Sequence, residues 1–294
     1  MSVRDLGYRA YEGELLPPSH NMWVMLRYGL WRIWGSWINK FVVFFFWLPV
    51  AALAGIAFLR FLTIGPEMPA DATDMDGVGG WFLSEPAVWL RTLTGIQFWF
   101  CMALVTIRSG AAVIAEDFTN KAYQFYFAKP VTPVQYLVGR ISALAVFNFG
   151  LVFIPVAFMV GVLAGVGPEE QRLERVGLLL PALVDSAMLA TVLSVVSISV
   201  SALSRSRALT ITAWVVVLFV PFVLAGLVET ISESEWVYVI SLPGALWNLG
   251  DALYKVEGTW TELKWFFSLP AVLIATVGGA YGAWYRIRKA EVIT

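Results

Sequence analysis

The sequence predicts an all-α polytopic membrane protein with six transmembrane helices, and three observations carry that expectation. First, hydrophobic residues make up 59% of the 294 and charged residues only 14%. A soluble domain carries about 25% charged residues, so the surface that would keep this chain in water is missing. Second, apolar stretches recur at 41–59, 88–115, 141–168, 176–204, 208–228 and 265–285. Each is close to or beyond the roughly 20 residues that a crossing helix requires. Third, the few charges are sorted by side. With both termini cytoplasmic, fourteen Lys and Arg fall inside and six outside, while fourteen Asp and Glu fall outside and six inside. The cationic bias sets that orientation.

Residues 1–20 read as a cytoplasmic N-terminal segment. They lack the apolar stretch and cleavage site of a secretory signal, so the first span is expected to be retained. Residues 21–38 read as an amphipathic helix lying in the interface, with Trp23, Leu26, Leu30, Trp34 and Trp37 spaced by threes and fours. Tryptophan favours the headgroup level, and Arg27, Arg32 and Lys40 are placed to meet anionic lipid phosphates. The alternative is a lead-in continuous with span one. Gly29 and Gly35 favour the separate helix, because glycine loosens a continuous rod.

The six-span body occupies 39–289 and a cytoplasmic tail 290–294. Its outer loops are expected at 63–87 and 231–263. The first is an acidic linker without the spacing of a calcium loop. The second is punctuated by Trp236, Tyr238, Trp247, Tyr254 and Trp260 and broken by Pro243 and Gly244. It reads as short helices at the outer interface or dipping into it.

The inner link between spans two and three, at 116–136, is the most informative segment. Thr119 or Asn120 is placed to cap a short helix over 120–128, and Pro130 and Pro133 to end it. Tyr123, Phe125, Tyr126 and Phe127 crowd that helix. Such a cluster anchors either in lipid or on a soluble partner, and buried aromatics are typical anchors of protein interfaces.

Within the spans, Asp185 is the one acid expected well inside the membrane, which makes it a candidate for proton coupling or for helix packing. Ser194, Ser197, Ser199 and Ser201 share its helix, as glue between helices or lining of a wet path. Arg108 is placed either to snorkel to phosphates or to pair with Glu116 or Asp117.

Several chemistries are excluded. Cys101 is the only cysteine and His20 the only histidine, so disulfides, cysteine metal clusters and histidine-based triads fall away. Net charge is −1, which gives no basic footprint for nucleic acid. The chain has no phosphate-binding Walker A loop.

Gly110-x-x-x-Ile114-x-Glu116-Asp117, the aromatic stretch, and then Ala128-Lys129-Pro130-Val131-Thr132-Pro133-x-x-Tyr136-Leu137-x-Gly139-Arg140 together resemble the ABC-2 type transporter permeases, in particular the subgroup described with multi-copper enzyme maturation. Tyr8-Arg9-x-Tyr11-Glu12-Gly13 also resembles the start of such permeases. The resemblance implies a permease dimer, homodimeric or with a close relative, in a bacterial inner membrane, bound to two cytoplasmic ABC ATPase subunits. ATP and Mg would belong to those subunits, with no cofactor on this chain and no covalent chemistry of its own. Residues 21–38 would be the elbow helix and 236–260 the outer re-entrant helices. Glu116, Asp117, Tyr123, Phe125, Tyr126, Phe127, Lys129 and Pro130 would couple to the ATPase. Thr94, Gln97, Thr106, Thr210 and Thr212 would face a translocation path at the dimer interface. The competing expectations are a secondary transporter driven by an ion gradient, which would need Asp185 or another embedded polar group, and a membrane assembly factor.

Overall fold

The computed structural model describes residues 20–64, 85–122, 131–204, 206–257, 260 and 262–291. Its helices are α1 (His20–Gly35), α2 (Trp37–Ile64), α3 (Pro86–Ile96), α4 (Ala103–Ser109), α5 (Val113–Thr119), α6 (Pro133–Val166), α7 (Arg172–Gly177), α8 (Leu179–Leu203), α9 (Arg207–Ser232), α10 (Leu242–Tyr254) and α11 (Trp265–Glu291). Among the described residues, six segments are long and apolar enough to cross a membrane: Trp37–Thr63, Pro86–Thr119, Pro133–Val166, Glu169–Leu203, Arg207–Ser232 and Trp265–Lys289. The all-α class is therefore observed, and the bundle is that of a multi-pass membrane protein. Spans two, three and four are the most enclosed, and spans one, five and six leave most of their surface outward. One end of the bundle carries Glu116, Asp117 and the start of α6, and is called the hairpin end below. The opposite end carries Pro86 and α10 and is called the far end.

Ser36 separates α1 from α2, so the two-helix reading of the N-terminal region holds and the continuous rod does not. The face α1 turns to the bundle differs from the expected tryptophan stripe. Gly29 and Ile33 are buried, whereas Trp23, Trp34 and Trp37 stay exposed. Gly29 lies against Ala143 and Gly139 against Met25, closely enough that a Cβ on either glycine would overlap its neighbour. Small residues let the two helix backbones approach.

Span three begins two turns before its charge-free stretch. Thr132 accepts from the Gln135 backbone N–H, and the Gln135 side chain accepts from the Thr132 N–H, at 3.2 and 3.1 Å. Pro133 follows as the first helical residue. That capping box with proline after it sets a firm start.

Span two is not one rod. A π-helical stretch, Gln97–Met102, joins α3 to α4, and a turn at 110–112 separates α4 from α5. A Cβ on Gly110 would collide with Leu144, so the turn needs glycine where it crosses span three. Ser201 of α8 satisfies the freed amides, accepting from Ile114 N–H at 3.0 Å and Ala115 N–H at 3.1 Å. Asn148 completes a polar seam through the core, donating to Thr106 and Ser194 at 3.3 Å each. Ser194 and Ser201 thus bridge α8 to neighbouring elements, Ser199 bonds back to its own helix at Val195 O, and Ser197 Oγ has no hydrogen-bond partner among the described residues.

Between spans five and six lie a 3₁₀ turn, Glu235–Ile240, and α10. Ser241 caps α10 by accepting from Gly244 N–H at 3.1 Å. The helix is short for a crossing, yet its residues from Leu242 to Leu246 and Asn248 to Asp251 are buried. The short helices expected in this segment are therefore present, and α10 is largely buried in the bundle.

Candidate functional site

Two ionic clusters stand at the two ends of the bundle. At the far end, Arg91 of α3 is buried between α8 and α10. Its Nε donates to Asp251 Oδ1 at 2.8 Å, its Nη2 donates to Trp247 O at 2.6 Å, and its Nη1 stands 3.7 Å from Asp185 Oδ2. The guanidinium also lies over the Trp247 ring, 4.4 Å from the centroid. Gly250 leaves room for it, since a Cβ there would meet the guanidinium carbon. Two carboxylates thus surround one cation where all three side chains are at most 5% exposed. Among the described residues neither Asp185 oxygen has a hydrogen-bond partner, and the charge of Arg91 stands opposite it. Asp185 lies two turns into α8 and level with Arg91, nearer the far end than its sequence position implied.

Thr94 joins this cluster through Tyr254, with the two hydroxyl oxygens 3.3 Å apart. Beside the cluster opens a cavity of about 820 Å³ whose lining includes Glu85, Arg91, Glu174, Arg175, Asp251 and Lys255. Arg175 closes the top of span three, donating to Leu163 O and Gln171 Oε1 at 2.9 Å each. Nearby, Tyr238 donates to Glu229 at 2.7 Å. Burial, reinforced by that carboxylate, pushes its hydroxyl pKa up to about 12.

At the hairpin end, Asp117 accepts from Tyr136 Oη at 2.5 Å and from Arg140 Nη2 at 2.6 Å. Tyr136 and Arg140 are four residues apart, so both reach one point from the same helix face. Glu116 next to it divides its oxygens between Arg32 of α1 at 3.2 Å and Arg207 of α9 at 3.1 Å. One turn of α5 therefore grips α1, α6 and α9 together.

Two expectations are corrected here. Arg108 pairs with neither Glu116 nor Asp117, because arginines from other helices already occupy both carboxylates; it donates to Ser36 Oγ at 3.3 Å. Thr119 and Asn120 close α5 where they were expected to open a helix. The Thr119 hydroxyl donates back to Ala115 O at 2.8 Å, and Asn120 stands at the C-cap.

Tyr123, Phe125, Tyr126, Phe127, Lys129 and Pro130 lie outside the described residues. Of the residues expected to face a path, Thr94, Gln97, Thr106 and Thr210 are enclosed within the chain and Thr212 is exposed. Gln97 donates to Phe46 O at 3.2 Å, Thr106 accepts from Asn148, and Thr210 donates to Ser206 O at 2.8 Å. Sequence reading missed Asp251, which sat in a segment read as outer loop. The available signal was a charge in each of two spans, Arg91 and Asp185, which calls for a partner inside.

Fold and clusters together define a polytopic helical membrane protein with an ion-tied core at each end. No family model matches the chain, and no curated protein is similar to it.

Proposed function

We propose that this chain is the membrane-spanning permease subunit of an ATP-driven exporter, with its hairpin end cytoplasmic in a bacterial inner membrane. One observation carries the reading: the base of the 116–136 link is bonded at once to α1, to the start of span three and to the start of span five. A force applied to that link is delivered to three other elements through Glu116 and Asp117. Rigid-body motion of this kind is how an ATPase partner would drive a membrane domain. In this reading the aromatic residues at 123–127 seat in the ATPase, and two copies of the permease enclose the path. Thr212 faces outward in the single chain, whereas Thr94, Gln97 and Thr106 reach such a path only if the spans rearrange.

Replacing Phe125, Tyr126 or Phe127 with Asp is expected to abolish copurification with an ATPase from native membranes while the chain still inserts. Unchanged copurification and unchanged ATPase activity would refute the coupling role. The second reading, ion-gradient transport, draws on Asp185, a buried carboxylate without a hydrogen bond. It requires Asp185→Asn to alter transport across pH. The permease reading expects the same pH profile in both forms.

A further inference from the structure

At the hairpin end a cavity of about 180 Å³ opens between α1, α4, α5 and the start of α9. Its charged lining is Arg32, Arg108, Arg207 and Glu116. Glu116 is already ion-paired with Arg32 and Arg207, so among the described residues the single carboxylate of the pocket serves two of its three guanidinium groups. Arg108 donates to Ser36 through Nε. Among the described residues it has no carboxylate within salt-bridge distance, and an arginine carries five N–H donors. The walls are held in place: Asn39 donates to Ile33 O and to Ser109 Oγ, both at 2.8 Å, which ties the α1–α2 corner to span two. Ser36 Oγ accepts from Arg108 and Ser109 Oγ from Asn39, which leaves each hydroxyl its own O–H to donate.

We propose that this pocket binds the phosphate of an anionic membrane phospholipid, with Arg108 and Arg207 as its principal cationic donors and Ser36 and Ser109 as neutral ones. Arginine suits the task because its planar fork matches phosphate oxygens, and basic pockets between membrane helices take anionic headgroups. A second observation points to lipid over soluble phosphate. Directly after Ser36, an exposed aromatic ridge descends along span one. Trp37 meets Phe41 at 6.4 Å between ring centroids, and Phe41 stacks on Phe45 at 5.9 Å. Phe45 meets Phe46 at 5.3 Å, and Phe46 stacks on Phe100 of span two at 6.0 Å. Trp37, Phe41, Phe45 and Phe100 are all exposed. A headgroup in the pocket would lay its acyl chains on this ridge, with Trp37 at the headgroup level that tryptophan prefers. The proposal rests on the membrane reading of the six spans and is independent of any ATPase partner.

The test uses the full chain in nanodiscs of phosphatidylcholine alone or mixed with phosphatidylglycerol, with retained lipids counted by native mass spectrometry. The wild-type chain is expected to retain phosphatidylglycerol in preference to phosphatidylcholine. Arg108→Gln and Arg207→Gln should each lower that preference roughly fivefold, and Glu116→Gln should raise it by removing the competing carboxylate. Arg108→Lys keeps the charge and should keep most of the preference. Arg172→Gln, at the far end, should change nothing. Equal retention by wild type and the Arg108→Gln/Arg207→Gln double variant overturns the site, as does an Arg108→Lys chain no better than Arg108→Gln. Displacement of the lipid by inorganic phosphate without dependence on acyl chains overturns the lipid assignment and leaves a soluble phosphate site.

Discussion

The two ends of the bundle use the same pairing chemistry in different surroundings. At the far end, Arg91, Asp185 and Asp251 are each at most 5% exposed, and one cation serves two acids. At the hairpin end, Glu116 meets Arg32 and Arg207, whose side chains are 45% and 59% exposed, while Asp117, Tyr136 and Arg140 beneath them are buried. A sealed pair is costly to break because each lost partner strands a charge in low dielectric. An open pair exchanges readily with water and ions. The far end is thereby built as a clamp, and the hairpin end as a buried pin under an adjustable rim.

Breaking the clamp should have the largest effect. Arg91→Met strands two carboxylates and should cost about 3–5 kcal/mol, read as loss of monodisperse protein or a lowered unfolding midpoint in detergent. Adding Asp185→Asn and Asp251→Asn should recover part of that loss, which separates stranded charge from lost packing on Trp247. Next is the pin: Asp117→Asn weakens the bonds from Tyr136 and Arg140 and should cost about 2 kcal/mol. Ser201→Ala leaves two amides of the broken span without their acceptor and should cost about 1 kcal/mol. The rim is smallest. Glu116→Gln should change stability by under about 1 kcal/mol, and the difference should shrink as salt is added. A rim substitution as damaging as Arg91→Met would erase the distinction between the two ends.

How much of this could be read from residues alone follows the same physics. The spans declare themselves because lipid demands long apolar stretches, and nothing in their packing can hide that. Arg91 and Asp185 were visible as charges in apolar surroundings. Their shared partner Asp251 was not, because α10 is only 13 residues long and its burial comes from neighbours distant in sequence. The corner at Ser36 was foreshadowed by Gly35. The break at 110–112 and the π-helical stretch were not foreshadowed, since Gln97–Met102 has an ordinary membrane composition. At the hairpin end Glu116 and Asp117 were singled out correctly as a place, but their partners came from three separate helices, a convergence no local pattern records.

The jointed form of span two has a mechanical consequence. Its far part is held by the Arg91 clamp and its hairpin part by the Asp117 pin, while the stretch from Gln97 to Ala112 between them departs twice from regular α geometry. Each residue of an α-helix advances the chain by roughly 100° about the axis. Taking up or releasing one residue in the π-helical stretch would therefore turn one end against the other by about that angle, a motion that the two grips oppose. Span two is in effect a shaft with a slip coupling at its middle, and Gln97, tethered to Phe46 of span one, sits where that coupling begins.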